Sequence, residues 1–235
     1  MKFRLPFALL TASALFAAGK PPDQVIADYV AAIGGTGAID RIQTREVHAH
    51  QGHSKVVYYW QKPNKVLLVD GKKKIGYDGA SGWMLSAKKR VSRLARGEEK
   101  SLLMDADPLR YAHLKQLYPD LAAANPEKLD ERLMDVLVAP NDRGQTKFYF
   151  DSATHLLVHI EESGETSAYF KHETDFEDYK EQDGLKQPFR IIHDSNEPGG
   201  HAEQVRISKI IENVPLESRI FVRPSGSNVT LGGKR

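Results

Sequence analysis

The sequence predicts a mainly β protein in which short helices plug the concave side of a strongly curved antiparallel sheet, that is, an incomplete or half β-barrel. From Thr44 onward, apolar residues recur with a period of two in short segments that turn-forming residues separate. Helical spacing is confined to two short stretches. More than ten predicted strands are too many for a flat sheet, so we expect the sheet to curl.

Two helical regions are predicted. The first is capped by Asp23, ends at Gly34-Gly35 and places five apolar residues near one face: Val25, Ile26, Tyr29, Val30 and Ile33. A short segment over residues 37–43 then leads into the first strand. The second helix is predicted to begin at Asp107, with Pro108 at its first position, and to end at Pro119.

The predicted strands fall into two series on either side of the second helix. Turn chemistry separates members of the first series at Pro63-Asn64, Asp70-Gly71 and Asp78-Gly79. The first series is 44–51, 55–60, 65–70, 74–77 and 82–86. The second series is 132–139, 146–151, 154–161, 166–170, 174–180, 187–194, 204–213 and 220–222.

The hairpin FYFDSATHLLVHIEES, residues 148–163, has one apolar face. With a turn at 151–154, alternation places these residues on that face: Phe148, Phe150, Leu156, Val158 and Ile160. The other face carries polar residues, which suits an antiparallel sheet covered on one side. Two helices, each about 15 Å long, should fill only part of the hollow of such a sheet, and the remaining apolar surface should line a cavity. The alternative is a core that side chains fill completely.

Residues 1–19 read as a cleaved secretory signal peptide: Lys2 and Arg4 precede an apolar run that ends in Ala17-Ala18-Gly19. With no cysteine in the chain, the predicted location is the periplasm. Residues 20–235 are expected to form a single domain, with a flexible tail at 225–235.

The charge balance excludes nucleic acid as the expected partner. Without Lys2 and Arg4, 31 of the 33 basic residues remain against 31 acidic residues, so the mature chain is neutral apart from histidine. Two basic clusters, Lys72-Lys73-Lys74 and Lys88-Lys89-Arg90, are interpreted as solvated hairpin ends. Transient contact with anionic lipid headgroups is the alternative interpretation.

No catalytic residue is predicted, because the chain has neither cysteine nor a Gly-x-Ser-x-Gly nucleophile elbow. No cofactor is expected, since no phosphate-binding or dinucleotide glycine motif follows a predicted strand. The strongest metal-like pattern is His48, His50 and His53, in which the first two share a strand face and the third returns after Gly52. The simpler interpretation is that these histidines face solvent.

Six motifs give the chain a resemblance to a known group, over most of its length from Asp23 to Pro224. They are DQVIADYVAAIGG, YDGASGWML, LKQLYPDL, TKFYFDSATHLLVHIEE, DFEDYKEQDGLKQPFRI and ISKIIENVPLESRIFVRP. The group comprises bacterial exported proteins similar to the LolA/LolB outer-membrane lipoprotein-sorting proteins. The resemblance implies a half-barrel with helices in its open side and an apolar cavity that receives acyl chains. No cysteine follows the signal, so a membrane-anchored role similar to LolB is not implied, and Arg110 and Arg132 have no assigned role.

The sequence therefore favours a carrier or chaperone, not an enzyme, that holds the acyl chains of a lipid or lipoprotein. The expected cavity residues are Val56, Tyr58, Trp60, Val66, Leu68 and Trp83, with Leu109, Leu114 and Leu117 on the helix that would serve as a lid. The alternative is an envelope interaction or assembly module that has a filled core, binds a protein partner and takes no small ligand.

Overall fold

The computed structural model describes residues 19–105, 107, 109–142, 144–164, 171–197 and 199–225. In these residues one antiparallel sheet contains 14 strands, and it is open rather than closed into a barrel. The predicted fold class is thereby confirmed. The predicted signal segment up to residue 18, the strand at 166–170 and the tail beyond residue 225 lie outside the described part.

The strands of the first series begin and end within two residues of their predicted limits. They are β1 (Thr44–Gln51), β2 (Ser54–Gln61), β3 (Lys65–Asp70), β4 (Lys73–Tyr77), β5 (Gly82–Leu85) and an additional short strand, β6 (Val91–Arg93). Two further short strands that the pattern did not predict are β7 (Ala122–Ala123) and β8 (Glu127–Leu129). The later strands are β9 (Arg132–Pro140), β10 (Gly144–Asp151), β11 (Leu157–Gly164), β12 (Lys171–Gln182), β13 (Leu185–Ser195) and β14 (Glu203–Glu212).

The helices are short. Those near the N-terminus are α1 (Pro22–Ala32) and α2 (Thr36–Asp40), as predicted. The unpredicted α3 spans Arg96–Asp105. The helix predicted from Asp107 to Pro119 is instead a 3₁₀ turn at Arg110–His113 that continues as α4 (Leu114–Leu117). No helix in the described part of the chain combines the length and hydropathy that a membrane crossing requires.

Two meanders make up the sheet. The spatial order is β6-β5-β4-β3-β2-β1-β14-β13-β12-β11-β10-β9-β7, and β8 pairs with β9. The first meander, β1 to β6, and the second, β9 to β14, therefore meet only where β1 pairs with β14. At this seam Arg45 lies opposite Glu212, and the register shifts once, between His48 and Ala49.

Helix α1 covers part of the inner face of the sheet. Val25, Tyr29 and Ile33 are buried in one core cluster with Phe148 and Phe150 of the hairpin. The rings of Tyr29 and Phe150 make an edge-to-face contact, with 5.4 Å between their centroids. The apolar face of the predicted hairpin thus covers α1.

The hairpin itself differs from the prediction in its register. Its turn runs from Asp151 to Leu156, with His155 at φ +60°, so β11 begins at Leu157 rather than at Thr154. A register shift between Tyr149 and Phe150 then pairs Phe150 with Leu157. Leu157 therefore lies in the buried position opposite Phe150, whereas alternation had placed Leu156 and Val158 on the apolar face.

The prediction of a strand at 220–222 is wrong. Residues Ser218–Phe221 form a 3₁₀ turn, and Phe221 is fully buried against Trp83 and Leu67 on the outer face of the sheet. The indole Nε1 of Trp83 donates a hydrogen bond of 2.8 Å to the Phe221 carbonyl oxygen. Residues 216–221 therefore cover the outer face instead of extending the sheet.

The end of α1 is fixed by a close backbone approach. Gly34 has φ +125°, and a Cβ at this position would lie 2.1 Å from the carbonyl oxygen of Gly184 in the β12–β13 turn. The N–H of Lys186 donates to the Ile33 carbonyl at 2.9 Å. Helix α1 is thus attached to the second meander through backbone contacts that only glycine permits.

We expect Gly34→Ala to lower the free energy of unfolding by more than about 2 kcal/mol, because both the clash and the positive φ oppose a side chain. Urea unfolding at neutral pH measures this change. The matched control is Gly37→Ala in α2, where no atom lies within 4 Å of the new Cβ. The control should change stability little or raise it. Equal stability of the two variants would contradict the proposed role of the contact.

Candidate functional site

A cavity of about 490 Å³ lies on the inner face of the sheet, beside the part that α1 covers. Side chains of six neighbouring strands line it: β3, β2, β1, β14, β13 and β12. Six strands span about 24 Å in a flat sheet. They can share one cavity of this volume only because the sheet curves around it.

The inner end of the cavity is closed by helical residues. Tyr29 and Ile33 from the α1 region, together with Leu109, are buried there. Leu102 of α3 and Tyr111 of the 3₁₀ turn also line the cavity and are partly buried. The segment between β6 and β7 thus forms the wall opposite the sheet.

The other end of the cavity is formed by strands alone. Ala49, Val56 and Val205 form a buried cluster there, and none of them belongs to a helix. The partly buried apolar residues that pack around this cluster also belong to strands: Tyr58, Leu68, Ile191 and Ile207. The exposed His193 marks this end of the lining. Apolar surface that no helix covers therefore leads from the inner end of the cavity to solvent. We call the open end, at Gln51, Leu68 and His193, the mouth.

Tyrosine hydroxyls supply much of the polarity at the inner end. Burial, and secondarily the neighbouring Tyr111, raises the pKa of Tyr29. Burial also raises the pKa of Tyr179 well above its ordinary value, and its hydroxyl donates to the Leu157 carbonyl oxygen at 2.5 Å. Both phenols consequently remain neutral across the physiological pH range.

The most deeply buried charges at the site are paired with each other. Arg45, which lines the cavity, places Nη2 2.6 Å from Oε1 of Glu212, and its Nε donates to Oε2 at 3.0 Å. Both side chains are about 95% buried. The Arg45 Nη2 contact lacks hydrogen-bond alignment, so it is ionic. Gln187 donates to the same carboxylate at 3.4 Å.

Trp60 carries a buried donor that has no described partner. The residue is 8% exposed and lines the cavity, and its indole Nε1 has no hydrogen-bond acceptor among the described residues. A buried N–H without a partner costs about 1–3 kcal/mol. Trp60 therefore offers a bound molecule one hydrogen-bond donor in apolar surroundings.

Only some of the nine predicted cavity residues line the cavity in the structure. Five of them line the cavity: Tyr58, Trp60, Val66, Leu68 and Leu109. Val56 is buried beside the cavity without lining it. Leu114 is fully buried in the helical core, and Leu117 is 39% exposed, so neither forms part of the wall.

Trp83 lies on the outer face, opposite to its expected position. Its strand partner is Gly76, where a Cβ would come within 2.6 Å of the indole ring. The absence of a side chain at Gly76 lets the ring lie across β4, against Phe221. The expectation that Trp83 lines the cavity is thus corrected.

The three histidines of the metal-like pattern lie in and just after β1. His48 Nε2 lies 2.5 Å from Oε1 of Glu46, and His50 and His53 are exposed. No group of three or more His, Asp or Glu side chains in the described ranges could hold a metal ion. The solvent-facing interpretation fits these positions.

The contribution of the second meander to the cavity was not predicted from the sequence. Residues of β13 and β14, among them Ile191, Val205 and Ile207, line the cavity as extensively as those of β2 and β3. Their period-two alternation was visible in the sequence. What the sequence did not reveal was the β1–β14 pairing, which brings these strands to the same cavity.

Comparison of the sequence with protein-family models finds no match, and no curated protein matches it either. Solved structures do match the fold. A Vibrio parahaemolyticus domain named for outer-membrane lipoprotein sorting superposes with a TM-score of 0.62 at 14% identity, covering 84% of this chain and 94% of that one.

Two further structures agree with this likeness. A DUF1329 family protein from Desulfovibrio piger has a TM-score of 0.62 at 14% identity, with 86% of this chain and 98% of that one covered. A LolA superfamily protein from Nitrosomonas europaea has a TM-score of 0.56 at 10% identity, covering 87% and 98%. Identities this low bear on the fold and not on the ligand. The open curved sheet, the helices on its inner face and these superpositions together establish that the chain has a LolA-like fold.

Proposed function

We propose that this protein is a carrier, rather than an enzyme, that shelters acyl chains of a lipid or lipoprotein in the cavity, and that it acts in the periplasm after export. The observation that carries the proposal is the cavity of about 490 Å³ whose walls are mainly apolar and aromatic. This volume lies in the range of small-molecule sites, about 300–1,000 Å³. The protein with a TM-score of 0.62 that is named for lipoprotein sorting adds support at the level of the fold.

The electrostatics of the cavity favour a chain that is apolar along most of its length. The phenols of Tyr29 and Tyr179 are neutral, and Arg45 is paired with Glu212. Transfer of an acyl chain from water into the cavity would be favourable by about 0.8 kcal/mol per buried CH₂. The unpaired indole N–H of Trp60 suits a carbonyl oxygen at the head of such a chain.

Release and loading would take place at the mouth. The wall formed by Leu102, Leu109 and Tyr111 belongs to the segment between β6 and β7, which packs against the sheet rather than forming part of it. Displacement of this wall would widen the cavity for a larger ligand. The competing module with a filled core is not favoured, because a cavity of about 490 Å³ remains on the inner face of the sheet.

A homologous series of saturated fatty acids tests the apolar mechanism. We expect the affinity to rise about fourfold with each added CH₂, and to stop rising once the cavity is filled. Isothermal titration calorimetry of the purified mature protein gives these affinities. An affinity independent of chain length would contradict burial of the chain.

Filling the cavity should block binding. We expect Ile207→Trp, at a lining position in β14, to weaken binding of a dansyl-labelled fatty acid at least tenfold, because the indole would occupy space that the chain needs. Fluorescence titration measures this affinity. The matched control is Ser208→Trp, at the adjacent exposed residue, whose hydroxyl donates to the His48 carbonyl on the other face. Equal weakening in both variants would place binding elsewhere.

The donor at Trp60 predicts a preference for oxygenated ligands. Trp60→Phe should weaken binding of a fatty-acid methyl ester about fivefold, which is the typical value of one hydrogen bond, and should leave binding of an alkane of the same length nearly unchanged. The control is Trp83→Phe, whose indole donates to Phe221 on the outer face. If Trp60→Phe changes both ligands equally, the indole N–H is not the contact.

A further inference from the structure

The mouth of the cavity lies at one end of the sheet, together with several strand connections. Gln51 of β1 pairs with Val205 of β14, and Val56 of β2 pairs with Asp70 of β3, so these termini share an end. Asp70 pairs with Lys73, and Lys74 pairs with Leu85. The β1–β2, β3–β4 and β5–β6 turns therefore all project from the end at which the cavity opens.

Two of these turns carry a dense group of cations, which we call the basic rim: Lys72, Lys73, Lys74, Lys88, Lys89 and Arg90. Five of the six are exposed, and Lys74 is partly buried. Over residues 71–93 the only acidic residue is Asp78, which lies in the β4–β5 turn at the opposite end. None of the six is ion-paired with a described acidic residue.

The basic rim is adjacent to the cavity wall along the strands. Leu68 lies at the mouth, and Lys73 is paired with Asp70, two positions beyond Leu68 along β3. Two strand residues correspond to about 7 Å. A surface that binds Lys73 would therefore lie close to the mouth, and the cations of the β5–β6 turn project from the same end of the sheet.

The charge of this end differs between the two sides of the sheet. The β3–β6 side carries the six rim cations and Asp70, whereas the β12–β14 side carries Glu173, Asp194 and Glu203 together with Lys171 and Arg206. An anionic surface would be attracted by the β3–β6 side and repelled by the other side. This arrangement favours a flat, negatively charged partner that meets the protein at an angle, with the mouth between the two halves.

We propose that the basic rim docks the protein on the headgroups of an anionic lipid bilayer and so presents the mouth of the cavity to the membrane. Exposed lysines without a described ion-pair partner, next to an apolar opening, match a surface that is anionic outside and apolar beneath. Docking extends the proposed carrier function, because it puts the acyl chains of the bilayer next to the cavity. The binding step itself requires only the cations.

Vesicle co-sedimentation of the mature protein tests the proposal. The probes are vesicles of phosphatidylcholine alone and of phosphatidylcholine mixed with phosphatidylglycerol, at low ionic strength. We expect binding to the mixed vesicles only. Binding should be lost near 1 M salt, where the Debye length falls to about 3 Å.

The decisive comparison is between two triple variants of equal charge. Lys72→Gln/Lys88→Gln/Lys89→Gln removes three exposed rim cations and should weaken binding on the order of 100-fold, at about fivefold per cation. The control, Arg41→Gln/Lys128→Gln/Lys209→Gln, removes three exposed cations away from the rim and should retain most of the affinity. Far-ultraviolet circular dichroism verifies that both variants fold.

Three outcomes would overturn docking: equal binding of both triple variants, no binding of the unmodified protein to the mixed vesicles, or retention only on vesicles that contain envelope proteins. The last result would indicate a protein partner instead. Titration of each variant with dansyl-labelled fatty acid, without vesicles, separates this proposal from the carrier function. If the rim variant no longer binds vesicles but still binds the fatty acid, both proposals hold. If the unmodified protein does not bind the fatty acid, the carrier proposal alone is contradicted.

Discussion

The pairing of β1 with β14 is the constraint on which the rest of the architecture depends. Among the described strands it is the one place where the two meanders join into a single sheet, and the directly opposed Arg45 and Glu212 are buried there as an ion pair. Removal of one partner from a buried pair typically costs about 3–5 kcal/mol, because the remaining charge is left without compensation. The pair therefore penalises any register that separates these two residues. It fixes the alignment of two halves that are distant in sequence.

The cavity follows from this seam and from the length of the helices. Strands on both sides of β1 and β14 contribute to its wall, so neither meander alone could enclose it. Helix α1 has 11 residues, which corresponds to about 16 Å of helix. Such a helix covers the strands around Phe148 and Phe150 but not those around Val205 and Ile207. Where a curved sheet is wider than the helices on its inner face, its uncovered strands must either rearrange to close the gap or leave a cavity. The buried ion pair at the seam opposes rearrangement, because it holds β1 and β14 in one register.

Local chemistry predicted most elements, whereas long-range pairing decided the site. Gly34-Gly35 ended α1 as expected, and β1 and β3 matched their predicted limits, because turns and alternation are local signals. The 3₁₀ turn at 218–221 could not be recognised, since it depends on Trp83 and Leu67 more than 130 residues earlier in the chain. Likewise, alternation placed residues of β2 and β3 on the cavity face but gave no indication that β13 and β14 contribute to the same cavity. The extra residues in the Asp151–Leu156 turn shifted the register of β11 in a way that alternation alone could not predict.

The two tryptophans illustrate how the same side chain acquires different roles on the two faces. Trp83 lies across Gly76, is covered by residues 216–221 and gives its N–H to the Phe221 carbonyl, so its side of the sheet is closed by the chain itself. Trp60 is almost equally buried, yet its N–H has no described acceptor and its ring borders the cavity. The chain thus satisfies the buried indole of Trp83 on the outer face, whereas the indole of Trp60 beside the cavity has no acceptor among the described residues. A hollow inner face with an unsatisfied donor is costly for folding alone, and this cost is the strongest physical reason to assign the inner face to a ligand.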